Sequence, residues 1–369
     1  MSKIRIFLQI LSILVLAFFP HTVLSNETGR QHESTEEVSH EDESEEVFDP
    51  GSFIFGHIAD AYDWHILSIN DFHLSLPLPV IVYSKTSGLH LFLSSKFHHG
   101  HSSYEGFEIA HNGEYEGKVV ETIENGSHVR PIDLSISKNV FAAFISMALM
   151  LWMFISVARS YKRRAGRAPK GMQNFVEPII LFIRDEVAKP SIGEKKYEKY
   201  MPYLLTLFFF IWINNMMGLI PIFPGGANVT GNIAVTMVLA IFTFFITTVS
   251  GNKHYWQEII NAPGVPWWLK FPIPLMPVIE IIGMLTKPFV LMVRLFANIT
   301  AGHIIALGFF SLIFIFGDMQ AGLGYGVSPV SIAFTMFMTV LELLVALIQA
   351  YVFTLLSALY FGMATAEHH

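Results

Sequence analysis

The sequence predicts an all-α polytopic membrane protein that carries a small β-rich domain before its membrane part. The first reason is composition: 52% of the 369 residues are hydrophobic and only 14% are charged, whereas soluble chains carry about 25% charged residues. The second is a set of uncharged apolar runs, each long enough to cross a bilayer. The third is the division of charge: residues 26–137 hold 20 acids and 5 bases, a net −15, and residues 138–369 hold 10 acids and 16 bases, a net +6.

The first 25 residues are predicted to be a secretory signal peptide. Lys3 and Arg5 precede an apolar run over residues 7–19, which is shorter than a spanning helix of about 20 residues. Ser25 is a small residue suited to a cleavage site. An uncleaved membrane anchor is the alternative, and both interpretations place the following segment outside the cytoplasm.

Residues 26–50 are predicted to be an acidic disordered linker, and residues 51–137 a small exported domain, which would be periplasmic in a bacterium. The linker is rich in Glu and poor in aromatic residues, a composition that cannot bury a core. The domain contains short β-branched and aromatic runs, such as residues 79–83, separated by Gly, Asn, Asp and Ser. The chain has no cysteine, so this domain must be stabilised by packing without disulfides.

Histidines are concentrated in the N-terminal part of the chain. Twelve of the 16 precede residue 138, and three of them form the segment His98-His99-Gly100-His101. Such a segment can bind a metal ion or be a polar surface loop, and the loop is the commoner explanation. No carboxylate at ligand spacing accompanies it. The sequence therefore predicts no metal site and no cofactor.

Residues 138–369 are predicted to be a membrane domain with five crossings. The apolar segments are residues 140–157, 202–224, 228–250, 277–316 and 327–363. The first is followed at once by the basic residues Lys162, Arg163, Arg164, Arg167 and Lys170, which places this end in the cytoplasm by the positive-inside rule. Five crossings from an exported N-terminal domain then place the C-terminus in the cytoplasm.

Three further features belong to this membrane domain. Apolar residues recur at helical spacing between Phe175 and Val187, among charged residues, which is typical of an amphipathic helix on the membrane surface. The second and third spans are expected to form a hairpin closed by a tight turn at Pro224-Gly225-Gly226. The last two segments are longer than a bilayer requires, so we expect them to be tilted, bent or broken.

The last two spans contain ionisable residues, which are costly in a membrane and therefore usually functional. They are Glu280, Lys287, Arg294 and His303 in the fourth span and Glu342 in the fifth. At about 100° per residue, Asn298 joins the first three of these in one stripe. Thr335, Glu342 and Gln349 are spaced by seven residues and form a second stripe on the last helix.

The same spacing predicts depth in the membrane. With the fourth span running outward, Glu280 lies about 21 Å to the cytoplasmic side of Arg294, and His303 about 13 Å to the external side. If Gln349 is level with Arg294, Glu342 is about 10 Å external to it. Polar groups then approach a central arginine from both sides, as two offset proton paths would.

The alternative is that these polar groups only neutralise one another, as buried ion pairs can. Arg294 has no acidic residue at its own depth in the chain. A buried arginine without a partner predicts that another subunit supplies the carboxylate.

Three segments of the sequence resemble the a subunit of the membrane sector of F-type ATP synthases, the stator part of the proton channel. They are Asn215-Met216-Met217-Gly218-Leu219-Ile220-Pro221, then Thr286-Lys287-Pro288 leading into Arg294-Leu295-Phe296-Ala297-Asn298-Ile299-Thr300-Ala301-Gly302-His303, and finally Glu342 with Ile348-Gln349-Ala350-Tyr351-Val352-Phe353. The resemblance covers about residues 138–369 and leaves the exported N-terminal extension outside it.

The resemblance implies a role for each matched polar residue. Arg294 would face a rotating ring of c subunits, whose carboxylates are protonated from one half-channel and deprotonated into the other. Asn298 and Gln349 match polar positions beside that arginine, and His303 and Glu342 match a pair that lines the external half-channel.

Two residues lie on the cytoplasmic side of this arrangement. Glu280 matches an acidic position there, and Lys287 belongs to the matched segment that precedes Arg294. Ala297 stands where a glycine is common in the family, a difference that affects how closely the ring approaches.

The expected partners are the c-subunit ring, b-type peripheral stalk subunits and the lipid bilayer, in the inner membrane of a bacterium. We expect no bound nucleic acid or nucleotide and no enzymatic activity of the chain alone, because ATP chemistry belongs to partner subunits. Residues 113–118 lack the spacing of a phosphate-binding loop and its Ser or Thr.

Two other classes of membrane protein fit the sequence less well. A secondary ion-coupled transporter with an intramembrane Arg/Glu/His site is the alternative function; it would favour repeated halves, and residues 138–250 and 251–369 show no repeat. A haem-binding subunit with two histidine ligands is excluded, since only His303 lies in a span.

Overall fold

The computed structural model describes residues 48–69, 72–100, 102–111, 113–123, 128–163, 166–220, 223–261 and 275–366. The predicted signal peptide and nearly all of the acidic linker lie outside the described residues, as do His101 and the side chain of His99. The described chain forms two compact units. One contains residues 138–302 and 340–366, and the other contains residues 48–137 and 303–339.

Five helices within the described residues are long and apolar enough to cross a membrane, as predicted. They are α2 (Lys138–Arg163), α5 (Tyr197–Leu219), α6 (Ile233–Ser250), α8 (Leu275–Met319) and α9 (Ala321–Thr365). The last two have 45 residues each, or about 67 Å at 1.5 Å per residue. Both are continuous helices despite Pro288 and Pro329 in their interiors, so of the expected tilt, bend or break, the break does not occur.

The prediction of a tight turn between the second and third spans is wrong. Helix α5 ends at Leu219 and α6 begins only at Ile233, because polar side chains hold an irregular connection instead. The side-chain Oδ1 of Asn228 accepts from the Gly231 amide at 3.0 Å, and the Oδ1 of Asn232 caps α6 by accepting from the Ala234 amide at 3.0 Å. Such capping satisfies amides that the first turn of a helix leaves unpaired.

The predicted amphipathic segment is helical. It consists of α3 (Met172–Phe182), a π-helical stretch (Ile183–Ala188) and α4 (Lys189–Ile192). Val176, Ile183 and Val187 are fully buried, whereas Phe175 is exposed. Arg184 donates two hydrogen bonds to Asp185, at 2.9 and 2.7 Å. With Lys189 as a second partner, Arg184 holds the pKa of the Asp185 carboxyl well below its usual range.

The C-terminal end of α9 is capped by side chains from two other segments. Lys196 Nζ donates to the Thr365 carbonyl at 2.7 Å, and Asn252 Nδ2 donates to the Ala366 carbonyl at 2.5 Å. The last carbonyls of a helix have no partner within it and carry partial negative charge, so a lysine there is stabilising. Helix α7 (Lys253–Asn261) begins directly after this contact.

Polar contacts also join α5 to α6 and α9 within the membrane segment. The Tyr203 hydroxyl lies 2.8 Å from Thr243 Oγ1, which lies 3.3 Å from Ser357 Oγ. Asn215 Nδ2 donates to the Ala346 carbonyl at 3.1 Å, and its Oδ1 accepts from Thr230. Buried polar groups need such partners where water is absent, so these bonds keep the three helices in register.

Residues 48–137 form the predicted β-rich region. Helix α1 (Pro50–Ile58) precedes strands β1 (Asp63–Ile69), β2 (Phe72–Pro77), β3 (Pro79–Ser84), β4 (Gly88–Leu93), β5 (Phe107–Ile109), β6 (Val119–Thr122), β7 (His128–Val129) and β8 (Ile132–Asp133). All pairings are antiparallel, in sheets of order β1-β2, β4-β3-β8 and β5-β6-β7. One apolar core joins the second and third sheets through Val80, Val82, Phe97, Phe107 and Val119.

Tyr62 and Asp133 form a buried polar pair beside this core. The Tyr62 hydroxyl donates to the Asp133 carboxylate. Burial, and then the charge of Asp133, raise the pKa of Tyr62 far above its usual value. The pair links the start of β1 to β8, the last strand of the domain.

Glu121 makes the β-rich region sensitive to acid. Its carboxylate accepts from Ser84 Oγ at 2.5 Å and from Thr86 Oγ1 at 2.6 Å, bonds that hold its pKa below the usual 4.5. A lowered folded-state pKa stabilises the fold above the unfolded value and loses this contribution as pH falls through the folded value. We therefore expect amide hydrogen exchange in β6, corrected for the intrinsic rate, to accelerate below pH 4.5.

The Glu121→Gln variant should lose this part of the pH dependence. Glu116→Gln, in an exposed turn, is the matched control and should follow the native profile. An unchanged profile in Glu121→Gln would remove Glu121 as the cause.

The second compact unit also contains the ends of α8 and α9 that meet at residue 320. Phe48 packs against Phe314 of α8 with 5.1 Å between ring centroids, and Phe53 lies 6.2 Å from the same ring. The Phe48 amide donates to the Asp318 carboxylate at 3.0 Å. The start of the β-rich region is thus attached to the α8–α9 connection.

Candidate functional site

Helix α8 presents a polar stripe next to a buried apolar one. Leu291, Leu295 and Ile299 are 1, 1 and 3% exposed and recur every four residues, so they face the rest of the unit. Arg294 and Asn298 precede the last two of these and are exposed, because one residue turns the helix by about 100°. These two residues of the predicted stripe therefore face outward from the chain, whereas Glu280 and Lys287 are half-buried.

Arg294 has no acidic partner among the described residues. No ion pair links its guanidinium to a carboxylate there. The Tyr360 hydroxyl of α9 lies within electrostatic range of the guanidinium. An arginine stays charged at any accessible pH, and an unpaired charge at membrane depth is costly. The guanidinium is thus available to a carboxylate from outside the chain.

Glu342 and Gln349 lie on the buried side of α9, with 5 and 7% of their surface exposed. Glu342 packs against Gly302 of α8: a Cβ placed on Gly302 would be 2.9 Å from Glu342 Oε1 and 3.0 Å from its Cδ. The glycine lets the carboxyl group approach the backbone of α8. Glu342 therefore lies beside the residue that immediately precedes His303.

This contact sets the relative depth of the two stripes. Arg294 is eight residues before Gly302, about 12 Å along α8, and Gln349 is seven after Glu342, about 10 Å along α9. The helices run in opposite directions here, because Lys287 Nζ of α8 lies 5.7 Å from the ring centroid of Tyr360, near the end of α9. Gln349 and Arg294 are accordingly at about the same level, which is the condition on which the predicted depth of Glu342 depends.

His303 belongs to the second compact unit, which begins there on α8. The other six predicted site residues, Glu280, Lys287, Arg294, Asn298, Glu342 and Gln349, belong to the first unit. The pairing of His303 with Glu342 therefore stays a prediction.

Two tyrosines of the first unit lie near Glu280 and Lys287 and were not predicted as site residues from the sequence. Tyr255 of α7 is buried and within electrostatic range of Glu280; burial, and then this carboxylate, raise the pKa of the Tyr255 hydroxyl. Tyr255, Lys287 and Tyr360 line one small pocket together with Thr243 and Thr247. These residues come from four helices, and helical spacing relates only residues of one helix. Their proximity therefore could not be predicted from the sequence.

The arrangement suits transfer of protons. Carboxylate, lysine, tyrosine and threonine side chains follow one another at different depths, which is typical of intramembrane proton relays. Within the described ranges, no three metal-ligating side chains come together.

A family model described as "ATP synthase A chain" matches residues 140–362. The chain belongs to the ATP synthase A chain family. It is therefore a membrane-sector subunit of an F-type ATP synthase, and the function predicted from the sequence, the proton-channel stator subunit, is confirmed. The transporter alternative is not supported. A second model, described as a domain of unknown function, matches residues 53–134, which lie in the β-rich region.

Curated relatives carry the same family name. The chain is 44% identical over 241 residues to ATP synthase subunit a of Chloroherpeton thalassium, covering 64% of this chain and 68% of that one. It is 46% identical to ATP synthase subunit a 2 of Chlorobaculum tepidum, with 65 and 66% covered. It is 41% identical to the subunit a of Myxococcus xanthus, with 64 and 75% covered.

The close approach of Glu342 to Gly302 predicts that Gly302→Ala lowers ATP-driven proton pumping in inverted vesicles. The added methyl group would meet the Glu342 carboxyl at 2.9 to 3.0 Å, so the carboxyl group must move. Gly283→Ala is the matched control on the same helix, where a Cβ would meet nothing within 4 Å, and it should pump normally. Equal pumping by the two variants would separate the position of Glu342 from proton transfer.

Proposed function

We propose that Arg294 is the fixed charge between two half-channels that carry protons to and from carboxylates of the c-subunit ring. The observation that supports this most strongly is the exposed guanidinium without an acidic partner among the described residues. A ring carboxylate that has lost its proton would be attracted to Arg294 and would leave it after reprotonation. Asn298, exposed one turn further along, and Gln349, level with Arg294, would orient that carboxylate.

The external half-channel ends at Glu342 and His303 in this proposal. Glu342 is buried at the α8–α9 contact about 10 Å from the level of Gln349. A carboxylate and an imidazole can both accept and donate a proton, so either can pass a proton to the other.

The inner half-channel contains Glu280 and Lys287. A small pocket lies between Lys287, Tyr255 and Tyr360. Tyr255 and Tyr360 would then extend the path beyond the residues inferred from sequence. Protons would leave at the Glu280 end, close to α7.

The topology follows from the same proposal. The exported domain would be periplasmic and the C-terminus cytoplasmic, in a bacterial inner membrane, with the signal segment 1–25 directing export. The attachment of Phe48 and Phe53 to the α8–α9 connection supports an external position of that connection. The ring and b-type stalk subunits are the partners, and nucleotide is bound by other subunits.

Disulfide formation tests the position of the ring. The chain has no native cysteine, so Ala297→Cys, exposed three residues after Arg294, introduces a single thiol. We expect it to cross-link to a cysteine placed beside the ring carboxylate. Leu149→Cys, 44% exposed on α2, is the matched control and should not cross-link. Cross-linking at Leu149 and not at Ala297 would contradict the proposal.

A further inference from the structure

The sheet β4-β3-β8 is apolar on both faces. Val80, Val82 and Phe92 face the core and are 0, 0 and 9% exposed. The intervening residues point the other way, since side chains alternate along a strand. They form what we call the leucine face: Ile81, Tyr83, Leu89, Leu91, Leu93 and Ile132.

The leucine face is continuous and exposed. Strand register places Ile81 opposite Leu91, and Tyr83 opposite both Leu89 and Ile132. Leu89 and Leu91 are 67 and 70% exposed. None of the six residues is charged, whereas an antiparallel sheet with one solvated face normally alternates apolar and polar residues. A contiguous apolar patch on a protein surface marks a surface that is covered in the cell.

The chain itself tethers this sheet to the membrane. After β8, the Leu134 amide donates to the Ile81 carbonyl at 2.8 Å and the Ile136 amide to the Pro79 carbonyl at 3.0 Å. The first membrane-crossing helix begins two residues later, at Lys138, which is at most about 7 Å of extended chain. The other end of the domain is attached at Phe314 and Asp318 near the end of α8.

We propose that the leucine face lies against the lipid bilayer and inserts its side chains among the headgroups and upper acyl chains. Leucine and isoleucine are the side chains that partition into this region, and a tyrosine is favoured at the interface. A protein partner is less well suited, because binding energy at protein interfaces comes mainly from Trp, Tyr and Arg, with Leu under-represented. This inference depends on the short tether and not on which side of the membrane the domain occupies.

Spin labels on the intact ATP synthase in lipid vesicles test the proposal. Leu89→Cys and Leu91→Cys carry the label on the leucine face, and Thr122→Cys, exposed on β6 of another sheet, is the matched control. Collision rates are measured with molecular oxygen, which concentrates in lipid, and with a water-soluble nickel chelate. We expect oxygen to dominate at positions 89 and 91 and nickel to dominate at 122, a reversal of the ratio.

Both other outcomes overturn the proposal. If positions 89 and 91 behave like position 122, the leucine face is in water. If positions 89 and 91 are protected from both reagents, a protein subunit covers the face. ATP-driven pumping by each labelled complex checks that it is intact, since none of the three residues belongs to the proposed proton path.

Discussion

Replacing Arg294 with alanine is expected to abolish ATP-driven acidification of inverted membrane vesicles, while the complex still assembles. The guanidinium is exposed on α8 and has no acidic partner among the described residues, so its removal breaks no ion pair seen within the chain and should not unfold it. It would, however, remove the fixed positive charge that the proposed mechanism places between the half-channels. Pumping is measured with a pH-sensitive dye, and assembly by recovery of the ATPase on the membrane.

The control for this experiment is Arg163→Ala, which removes an exposed arginine at the end of α2. It should pump normally. Arg294→Lys should also fail, because a lysine keeps the charge and loses the planar group that binds a carboxylate in two places. Undiminished pumping by Arg294→Ala would contradict the proposed mechanism.

The second large effect concerns His303 and Glu342. We expect His303→Glu and Glu342→His each to reduce pumping strongly, and the double exchange to recover a substantial part of it. If the two residues share a path, each single change leaves that path with two carboxylates or two imidazoles. The exchange restores one carboxylate and one imidazole, which can relay a proton in either order.

Double-mutant analysis decides this point, since residues that act together are not additive. The measured quantity is the pumping rate at equal complex content for the native chain, both single variants and the double exchange. If the double exchange is as inactive as the worse single variant, His303 and Glu342 do not share a path.

Helical spacing was sufficient to predict the stripes that carry the proposed site. Glu280, Lys287, Arg294 and Asn298 share a face because they are on one helix, where number alone determines direction. The equal level of Gln349 and Arg294 was a condition of the depth prediction, and the Gly302–Glu342 contact agrees with it.

Contacts between different helices could not be predicted in this way. Tyr255 and Tyr360 approach Lys287 and Glu280 only because α7 and the end of α9 are held together by Asn252 and the apolar cluster around Tyr255. The expected turn at Pro224 failed for a related reason: the connection is shaped by side-chain bonds, including one from Thr230 to Asn215 of the preceding helix.

The apolar outer face of the β-rich region was likewise hidden in the sequence. The run over residues 79–83 was recognised as a strand, but its neighbours β4 and β8 were needed to show that two faces are apolar. Alternation in a single strand cannot show which face is covered when both are apolar.

The central claim is that Arg294 separates two proton paths instead of forming part of one. Passive proton flux through the membrane sector, measured after removal of the ATPase head and driven by a potassium diffusion potential, tests it most directly. We expect Arg294→Ala vesicles to conduct protons at least as fast as native ones, although they no longer pump. If Arg294→Ala vesicles lose passive proton flux as well as pumping, Arg294 is a member of the path and does not separate two paths.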